Sequence, residues 1–190
     1  SVFGCADRKY VLPIVSRLVP AKGNRNKLII ALALVRNLAP TIASKSVRLL
    51  FDSWFMRARL ILPLLSRKMQ VIGQARYDTA LFMPPEVLSK PRRGRPKIYG
   101  IKITPEAIQR LPATEVRLTL YGKEQLILLR TVVAIARFLK GVPVRAVWCE
   151  FYDADKLCWS KTRLLLATET RLSAEEVLHL YARRWGIEPL

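Results

Sequence analysis

Near the end of the chain, Tyr181, Arg184 and Glu188 follow one another at spacings of three and four residues. In an α-helix these spacings place all three side chains on one face. A tyrosine, an arginine and a carboxylate on one stripe of a strongly basic protein favour a site for a phosphate group and a metal ion. The plainer interpretation is a helix surface on which Glu188 forms an (i, i+4) salt bridge with Arg184.

A second candidate carboxylate, Asp52, directly follows the short apolar run at residues 46–51. Ligands of α/β proteins gather outside the carboxyl ends of the strands, and hard cations such as Mg²⁺ prefer carboxylate oxygens. Metal-assisted phosphoryl transfer needs such carboxylates to converge from different elements. Asp52 and Glu188 suit that chemistry, although an aspartate in this position can also serve only to cap the next helix.

Strand-like and helix-like apolar patterns alternate in the first part of the chain. The predicted elements are a buried strand at 10–19, a helix at 27–38, a strand at 46–51, a helix at 55–69 and a strand at 70–77. Asn26 is expected to cap the first helix and Pro40 to end it, whereas Pro63 is expected to kink or break the second. This alternation favours a parallel α/β sheet.

The composition changes between residues 83 and 100, where prolines and arginines indicate an exposed basic loop. Three strands are predicted after it, at 116–120, 127–134 and 142–152. A helix at 126–138 is the alternative to the second of these strands. A last strand at 162–167 leads to a capping box, Ser173 with Glu176, which starts the closing helix. We therefore divide the chain into a core at 1–79, an insertion at 80–160 and a return to the core at 161–190.

The overall charge points to a polyanionic partner. The chain of 190 residues has 33 Lys and Arg against 14 Asp and Glu, a formal charge of +19, and its 51% hydrophobic content can fill a core. Its apolar runs are far shorter than the roughly 20 residues of a membrane span. The three cysteines, Cys5, Cys149 and Cys158, are too scattered for a metal site and are expected to be reduced, buried and inert, and His179 is expected to be structural.

The pattern Tyr181-x-x-Arg184-x-x-x-Glu188 resembles the tyrosine-arginine-glutamate-lysine signature of DDE transposases from bacterial insertion sequences, in which the glutamate is the third catalytic carboxylate. The segment at residues 49–55, around Asp52, is similar to the region of the second catalytic aspartate in these enzymes. Residues 164–173 resemble the last strand before the glutamate helix. These motifs occur in the family's order, with a long insertion between them.

This resemblance implies a ribonuclease-H-like α/β fold, a mixed sheet with flanking helices and a β-rich insertion before the last catalytic helix. It implies Mg²⁺-dependent or Mn²⁺-dependent DNA strand cleavage and transfer, with Asp52 and Glu188 as catalytic metal ligands. Tyr181 and Arg184 would contact DNA phosphate, Arg184 through charge-assisted hydrogen bonds. The implied partners are double-stranded DNA, as transposon ends and target, and a second copy of the chain, in the cytoplasm at the nucleoid.

Two parts of the family pattern are not found. The first catalytic aspartate has no convincing counterpart, because Asp7 lies in a loop-like stretch, and the signature lysine would fall beyond Leu190. The resemblance therefore implies a chain truncated at both ends. A two-metal site is expected only in the complete protein, and no nuclease activity is expected from this chain as it stands.

The basic loop contains Arg93-Gly94-Arg95-Pro96 followed by Lys97, which resembles the AT-hook core that lays two guanidinium groups into a narrow minor groove. A passive solvated linker is the alternative. Arg57 and Arg59, with the later basic residues Arg67, Lys68 and Arg76, are predicted to follow a DNA backbone near Asp52. Such residues also occur on ordinary solvated helix faces.

Two other classes of protein stay open. A non-enzymatic, architectural DNA-binding protein would use the same basic surface and loop without any chemistry. An RNA-binding or ribosome-associated protein is less favoured, because no RNP or KH motif is visible.

Overall fold

The structure is a computed structural model that describes residues 2–6, 11–16, 24–42, 47–86, 94, 96–120 and 122–184. Its strands are β1 (Val2–Ala6), β2 (Val11–Ser16), β3 (Arg48–Phe51), β4 (Gln70–Ala75), β5 (Leu81–Phe82), β6 (Thr114–Leu120), β7 (Lys123–Ala136), β8 (Pro143–Asp153), β9 (Cys158–Trp159) and β10 (Arg163–Ala167). Its α-helices are α1 (Asn24–Ile42), α2 (Ala58–Leu65), α3 (Pro105–Gln109) and α4 (Ala174–Ala182), and a 3₁₀ turn covers Arg137–Leu139.

The main sheet has the strand order β3-β4-β10-β8-β7-β5, with β6 paired to β7 and β9 paired to β8, while β1 and β2 form a separate hairpin. Among the described pairs, β3 and β4 run parallel and the others run antiparallel. The expectation of a parallel sheet is therefore wrong beyond β3 and β4. Short connections explain the difference, because a tight turn such as the one between β6 and β7 can join antiparallel strands only.

Helices cover both faces of this sheet. On one face, α2 packs against β4 and α1 packs against α2, with Val35, Leu60 and Val71 in the same apolar cluster. On the other face, α4 packs through Val177 against a cluster that includes Ile72. Because side chains alternate along a strand, the neighbours Val71 and Ile72 of β4 enter opposite layers.

The predicted helices differ from the structure at their ends. Helix α1 begins at Asn24 and continues through Pro40 to Ile42, so Asn26 is not the N-cap and Pro40 does not end the helix. A proline this close to the carboxyl end removes one hydrogen bond of the last turns, a local cost that the helix tolerates.

Helix α2 covers Ala58–Leu65 rather than 55–69, and it runs through Pro63 without a break. Its side chains Leu60, Ile61 and Leu64 are fully buried. Burial of this apolar face compensates for the hydrogen bond that Pro63 cannot donate.

Most predicted strands are confirmed, as β2, β3, β4, β6, β7, β8 and β10. Residues 126–138, for which a helix was the alternative prediction, belong mainly to β7. This strand pairs with β8 from Ile127 to Ile135. The strands β1, β5 and β9 and the helix α3 were not predicted. Residues 80–160 extend the sheet, because β8 pairs directly with β10.

Two of the three cysteines can be assessed. Cys149 is buried, and burial raises the pKa of its thiol to about 12, as expected of an inert cysteine. Cys158 is exposed on the short strand β9, so the prediction of burial is wrong for that residue. The side chain of Cys5 lies outside the described part. Within the described residues no helix has both the length and the apolar character to cross a bilayer.

Candidate functional site

Asp52 lies immediately after β3, at the carboxyl end of the parallel pair formed by β3 and β4. Its Oδ1 accepts hydrogen bonds from the backbone N–H groups of Trp54, at 3.0 Å, and Phe55, at 3.2 Å. The carboxylate therefore caps the turn between β3 and α2. The alternative interpretation of the sequence, in which it caps α2 itself, is wrong, because the N-cap position of that helix is Arg57. The described residues donate no hydrogen bond to Oδ2, so this oxygen is available to a further ligand.

The turn that leads from β10 into α4 is held at the amino end of β4, the end opposite to the one near Asp52. The backbone N–H of Thr168 donates to the carbonyl of Val71 at 2.9 Å, and the hydroxyl of Thr168 donates to Oε1 of Gln70 at 2.7 Å. The guanidinium of Arg145 donates to the carbonyl of Thr170 at 3.0 and 2.7 Å. These contacts place the start of α4 near the amino ends of β3 and β4.

Glu169, in the same turn, is nearly buried. Its carboxylate binds Arg48 at the start of β3, with Nε at 2.7 Å, and Arg171, with a guanidinium nitrogen at 2.6 Å. The hydrogen bond from Arg48 is the main cause that lowers the pKa of Glu169, and Arg171 contributes to the same effect. The same hydrogen bond raises the pKa of Arg48.

Helix α4 begins with the predicted capping box. Oγ of Ser173 accepts from the backbone N–H of Glu176 at 3.1 Å, and the carboxylate of Glu176 accepts from the N–H of Ser173 at 2.7 Å. The helix contacts β4, β10, β8, β7 and β6. Strand β6 pairs with the first half of β7, which lies level with the carboxyl ends of β3 and β4. The helix therefore extends from the amino ends of β3 and β4 toward the end of the sheet that carries Asp52.

Tyr181 lies on the last turn of α4, whereas Arg184 follows the helix, which ends at Ala182 rather than continuing through Arg184 as predicted. The two side chains are nevertheless adjacent. The guanidinium carbon of Arg184 lies 5.8 Å from the ring centroid of Tyr181, within the range of a cation–π contact. Tyr181 is 6% exposed and belongs to the core cluster under α4, and Arg184 is half-buried. Glu188 lies outside the described residues, so its convergence with Asp52 stays a prediction.

The predicted DNA-contacting residues divide into two groups. Arg57, Arg59 and Lys97 are exposed. Arg93 and Arg95 lie outside the described residues, and so does Asp7, the weak candidate for the first catalytic aspartate. Gly94, between the two arginines, is exposed and has a φ of 108°, a backbone conformation that favours glycine.

Of the two residues predicted to hold a metal ion, Asp52 and Glu188, Asp52 lies in the described part of the chain. No group of three or more His, Cys, Asp or Glu side chains that could hold an ion occurs in that part. Asp52 offers a carboxylate oxygen that its turn leaves available, which is the donor type that Mg²⁺ and Mn²⁺ prefer. Its chemistry therefore fits a divalent ion, with Glu188 as the predicted second ligand.

Several residues that position the site were not singled out by their sequence pattern. Arg48, Arg145 and Arg171 contact the turn before α4, but nothing local marks them, since Arg48 binds a partner 121 residues away. Glu169 carries one recognisable signal. It is a carboxylate just after an apolar strand, which is the same signal that identified Asp52.

Comparison with known proteins relates the chain to a protein family. A protein-family model described as Transposase DDE domain matches residues 5–190, a range that includes both Asp52 and Glu188. No curated protein matches the chain.

Proposed function

The chain belongs to the family of DDE transposase domains, and on that premise we propose that it is the catalytic domain of an insertion-sequence transposase of the tyrosine-arginine-glutamate-lysine branch. Members of this family act on DNA in transposition and generally use divalent metal ions. In the proposed site, Asp52 and Glu188 hold Mg²⁺ or Mn²⁺. A divalent ion held there would supply Lewis-acid stabilisation to the oxygens of a phosphodiester.

The direction of α4 is the observation that carries this proposal. The helix starts at the amino ends of β3 and β4 and extends toward the end of the sheet where Asp52 lies. Leu50 packs against the cluster that α4 covers. Strand side chains alternate between the faces, and this alternation, continued one residue past Phe51, would direct Asp52 to the same face as Leu50. Continuation of α4 would bring Glu188 to this end of the sheet.

Arg184 and Tyr181 are proposed to act on the phosphate beside that ion. A guanidinium group donates paired hydrogen bonds to phosphate oxygens and keeps its charge at any physiological pH. The ring of Tyr181 is fixed in the core, and the cation–π contact at 5.8 Å limits the positions of the Arg184 guanidinium. Tyr181 therefore contributes by holding Arg184.

The DNA duplex is proposed to extend over the exposed basic side chains. The formal charge of +19 supplies a long-range attraction for the phosphate backbone. Arg57 and Arg59 follow Asp52 closely in the chain and are exposed, and Arg93, Arg95 and Lys97 would contact a minor groove. A second copy of the chain in the complex, and action at the nucleoid, follow from the same proposal.

Mn²⁺ binding to the purified chain, measured by isothermal titration calorimetry, tests the proposed metal site directly. Asp52→Asn keeps the oxygen that caps the turn and removes the charge, and Glu188→Gln is the equivalent change at the second ligand. We expect both variants to lose most Mn²⁺ affinity, while Asp155→Asn, an exposed aspartate elsewhere, retains it. Equal Mn²⁺ binding by all four proteins would refute the site. Salt-dependent DNA binding without it would instead favour the architectural class of protein.

A further inference from the structure

An open depression of about 470 Å³ lies beside the start of α2 and is bordered by three arginines, Arg57, Arg76 and Arg137. Ser53, which follows Asp52 in the chain, also lines it. We call this feature the arginine depression.

The three arginines come from separate elements. Arg57 precedes α2, Arg76 follows β4, and Arg137 begins the 3₁₀ turn after β7. The backbone N–H of Arg137 donates to the carbonyl of Ala80 at 3.1 Å, which fixes the turn against the segment after β4. The fold therefore assembles a positive cluster that no single stretch of sequence contains.

The charges of the arginine depression are only partly balanced within the described part of the chain. Arg76 binds Asp78 through two hydrogen bonds, at 3.0 and 2.7 Å, and both side chains of this pair are mostly exposed. Arg57 and Arg137 are exposed and form no ion pair with a described residue, and Arg57 makes no capping hydrogen bond at α2. Like charges that converge on one opening attract an anion, and guanidinium groups pair with phosphate in particular.

We propose that the arginine depression binds a backbone phosphate of duplex DNA, and that Asp78 competes with this phosphate for Arg76. The inference rests on the proposed function, since it names one contact for the DNA that this function requires. In the free protein Asp78 occupies the paired donors of Arg76. When DNA binds, the phosphate takes those donors, and Arg57 and Arg137 complete its contacts.

The test is binding of the chain to a fluorescein-labelled duplex of mixed sequence, measured by anisotropy over a series of salt concentrations. Each phosphate contact contributes about 0.9 to the slope of log affinity against log salt. Arg137→Gln and Arg57→Gln are each expected to flatten the slope by about one and to lower affinity roughly tenfold at about 0.1 M salt. Arg117→Gln, which removes the same charge from an exposed position on β6, serves as the matched control.

Asp78→Asn gives the opposite and more specific result. It releases Arg76, so we expect affinity to rise about threefold or more and the salt slope to steepen by about one. Asp155→Asn changes the net charge by the same amount at an exposed position and is expected to have a much smaller effect.

The outcomes separate this inference from the proposed function. In one outcome the unmodified chain binds DNA with a steep salt dependence while the Arg137 and Arg57 variants behave like Arg117→Gln, or while Asp78→Asn behaves like Asp155→Asn. Either result shows that the arginine depression is not a phosphate site and leaves the proposed function standing. If the unmodified chain binds no DNA, both are overturned.

Discussion

Arg48 and Glu169, 121 residues apart in the chain, form an ion pair in which Nε of Arg48 lies 2.7 Å from Oε2 of Glu169. The pair joins the start of β3 to the turn that begins α4. Asp52 follows the other end of β3, and Tyr181 and Arg184 lie on α4 or directly after it. One buried carboxylate thus connects the two elements that carry the candidate site.

Replacement of this carboxylate is expected to destabilise the fold. Glu169→Gln keeps the shape of the side chain but removes the charge that Arg48 and Arg171 bind, and hydrogen bonds to charged groups contribute about 1.5–3 kcal/mol. We expect the free energy of unfolding to fall by that amount in urea denaturation. Asp78→Asn is the matched control, because its pair with Arg76 has the same groups but is mostly exposed and should contribute at most about 1 kcal/mol. Equal losses in both variants would contradict the buried role of Glu169.

The same pair predicts a pH dependence of stability. The pKa of Glu169 in the folded chain lies below its ordinary value of 4.5. The unfolded state therefore takes up a proton first as the pH falls, and the stabilisation, complete above that value, is lost as the pH falls through the folded pKa. Unfolding measured at several pH values should show the difference between wild type and Glu169→Gln narrowing below about 4.5. A difference that stays constant down to the acid transition would show that the charge of Glu169 is not what Arg48 stabilises.

Local patterns were sufficient for most of the elements. The alternation and the apolar runs predicted β3, β4, β7, β8 and β10, because burial of one or both sheet faces leaves a direct trace in the sequence. The capping box of α4 was predictable because it is local: Ser173 and Glu176 bind each other's backbone within one turn.

Features decided by distant contacts were not predictable in this way. Whether strands pair parallel or antiparallel depends on the sheet order, and Pro63 remains within α2 because its neighbours Leu60 and Leu64 are fully buried. The role of Glu169 depends on Arg48, and the arginine depression on Arg137, each brought from far along the chain. The proposed convergence of Asp52 with Glu188 also depends on a contact between distant parts of the chain.

The capping box should control the start of α4. Ser173→Ala removes the oxygen that accepts the N–H of Glu176, and loss of such a cap costs about 1 kcal/mol. We expect faster amide hydrogen exchange in the first turn of α4. Glu176→Gln, which can still accept from the N–H of Ser173, should have a smaller effect. If Ser173→Ala does not alter exchange in α4, the box does not hold the helix start.

Gly73 sets the spacing between β4 and the segment after β3. A Cβ at this position would meet the side chain of Met56 and would lie 3.0 Å from the carbonyl oxygen of Phe51. Gly73→Ala is therefore expected to destabilise the chain by about 1–3 kcal/mol, as overpacking does.

A double-mutant cycle tests the cause of that loss. Met56→Ala removes the side chain that the added methyl group meets, so Gly73→Ala should cost much less in the Met56→Ala background. Urea denaturation of the four proteins gives the coupling. Additive losses would assign the effect to the contact with the Phe51 carbonyl instead.

The two roles of Asp52 can be separated by two substitutions at the same position. Asp52→Ala removes Oδ1, which accepts from Trp54 and Phe55, and should cost about 1 kcal/mol in the absence of metal. Asp52→Asn keeps an acceptor oxygen at that place and should be nearly as stable as wild type.

Added Mn²⁺ then distinguishes a cap from a ligand. An ion that binds the folded state but not the unfolded state raises the melting temperature of the chain in proportion to the logarithm of the ion concentration. We expect this rise for wild type and its loss in both variants, measured by differential scanning calorimetry. A rise that Asp52→Asn retains would show that the carboxylate only caps the turn before α2. Since the Asp52→Asn variant preserves the cap and lacks the charge, loss of the rise in that variant cannot be attributed to a damaged turn.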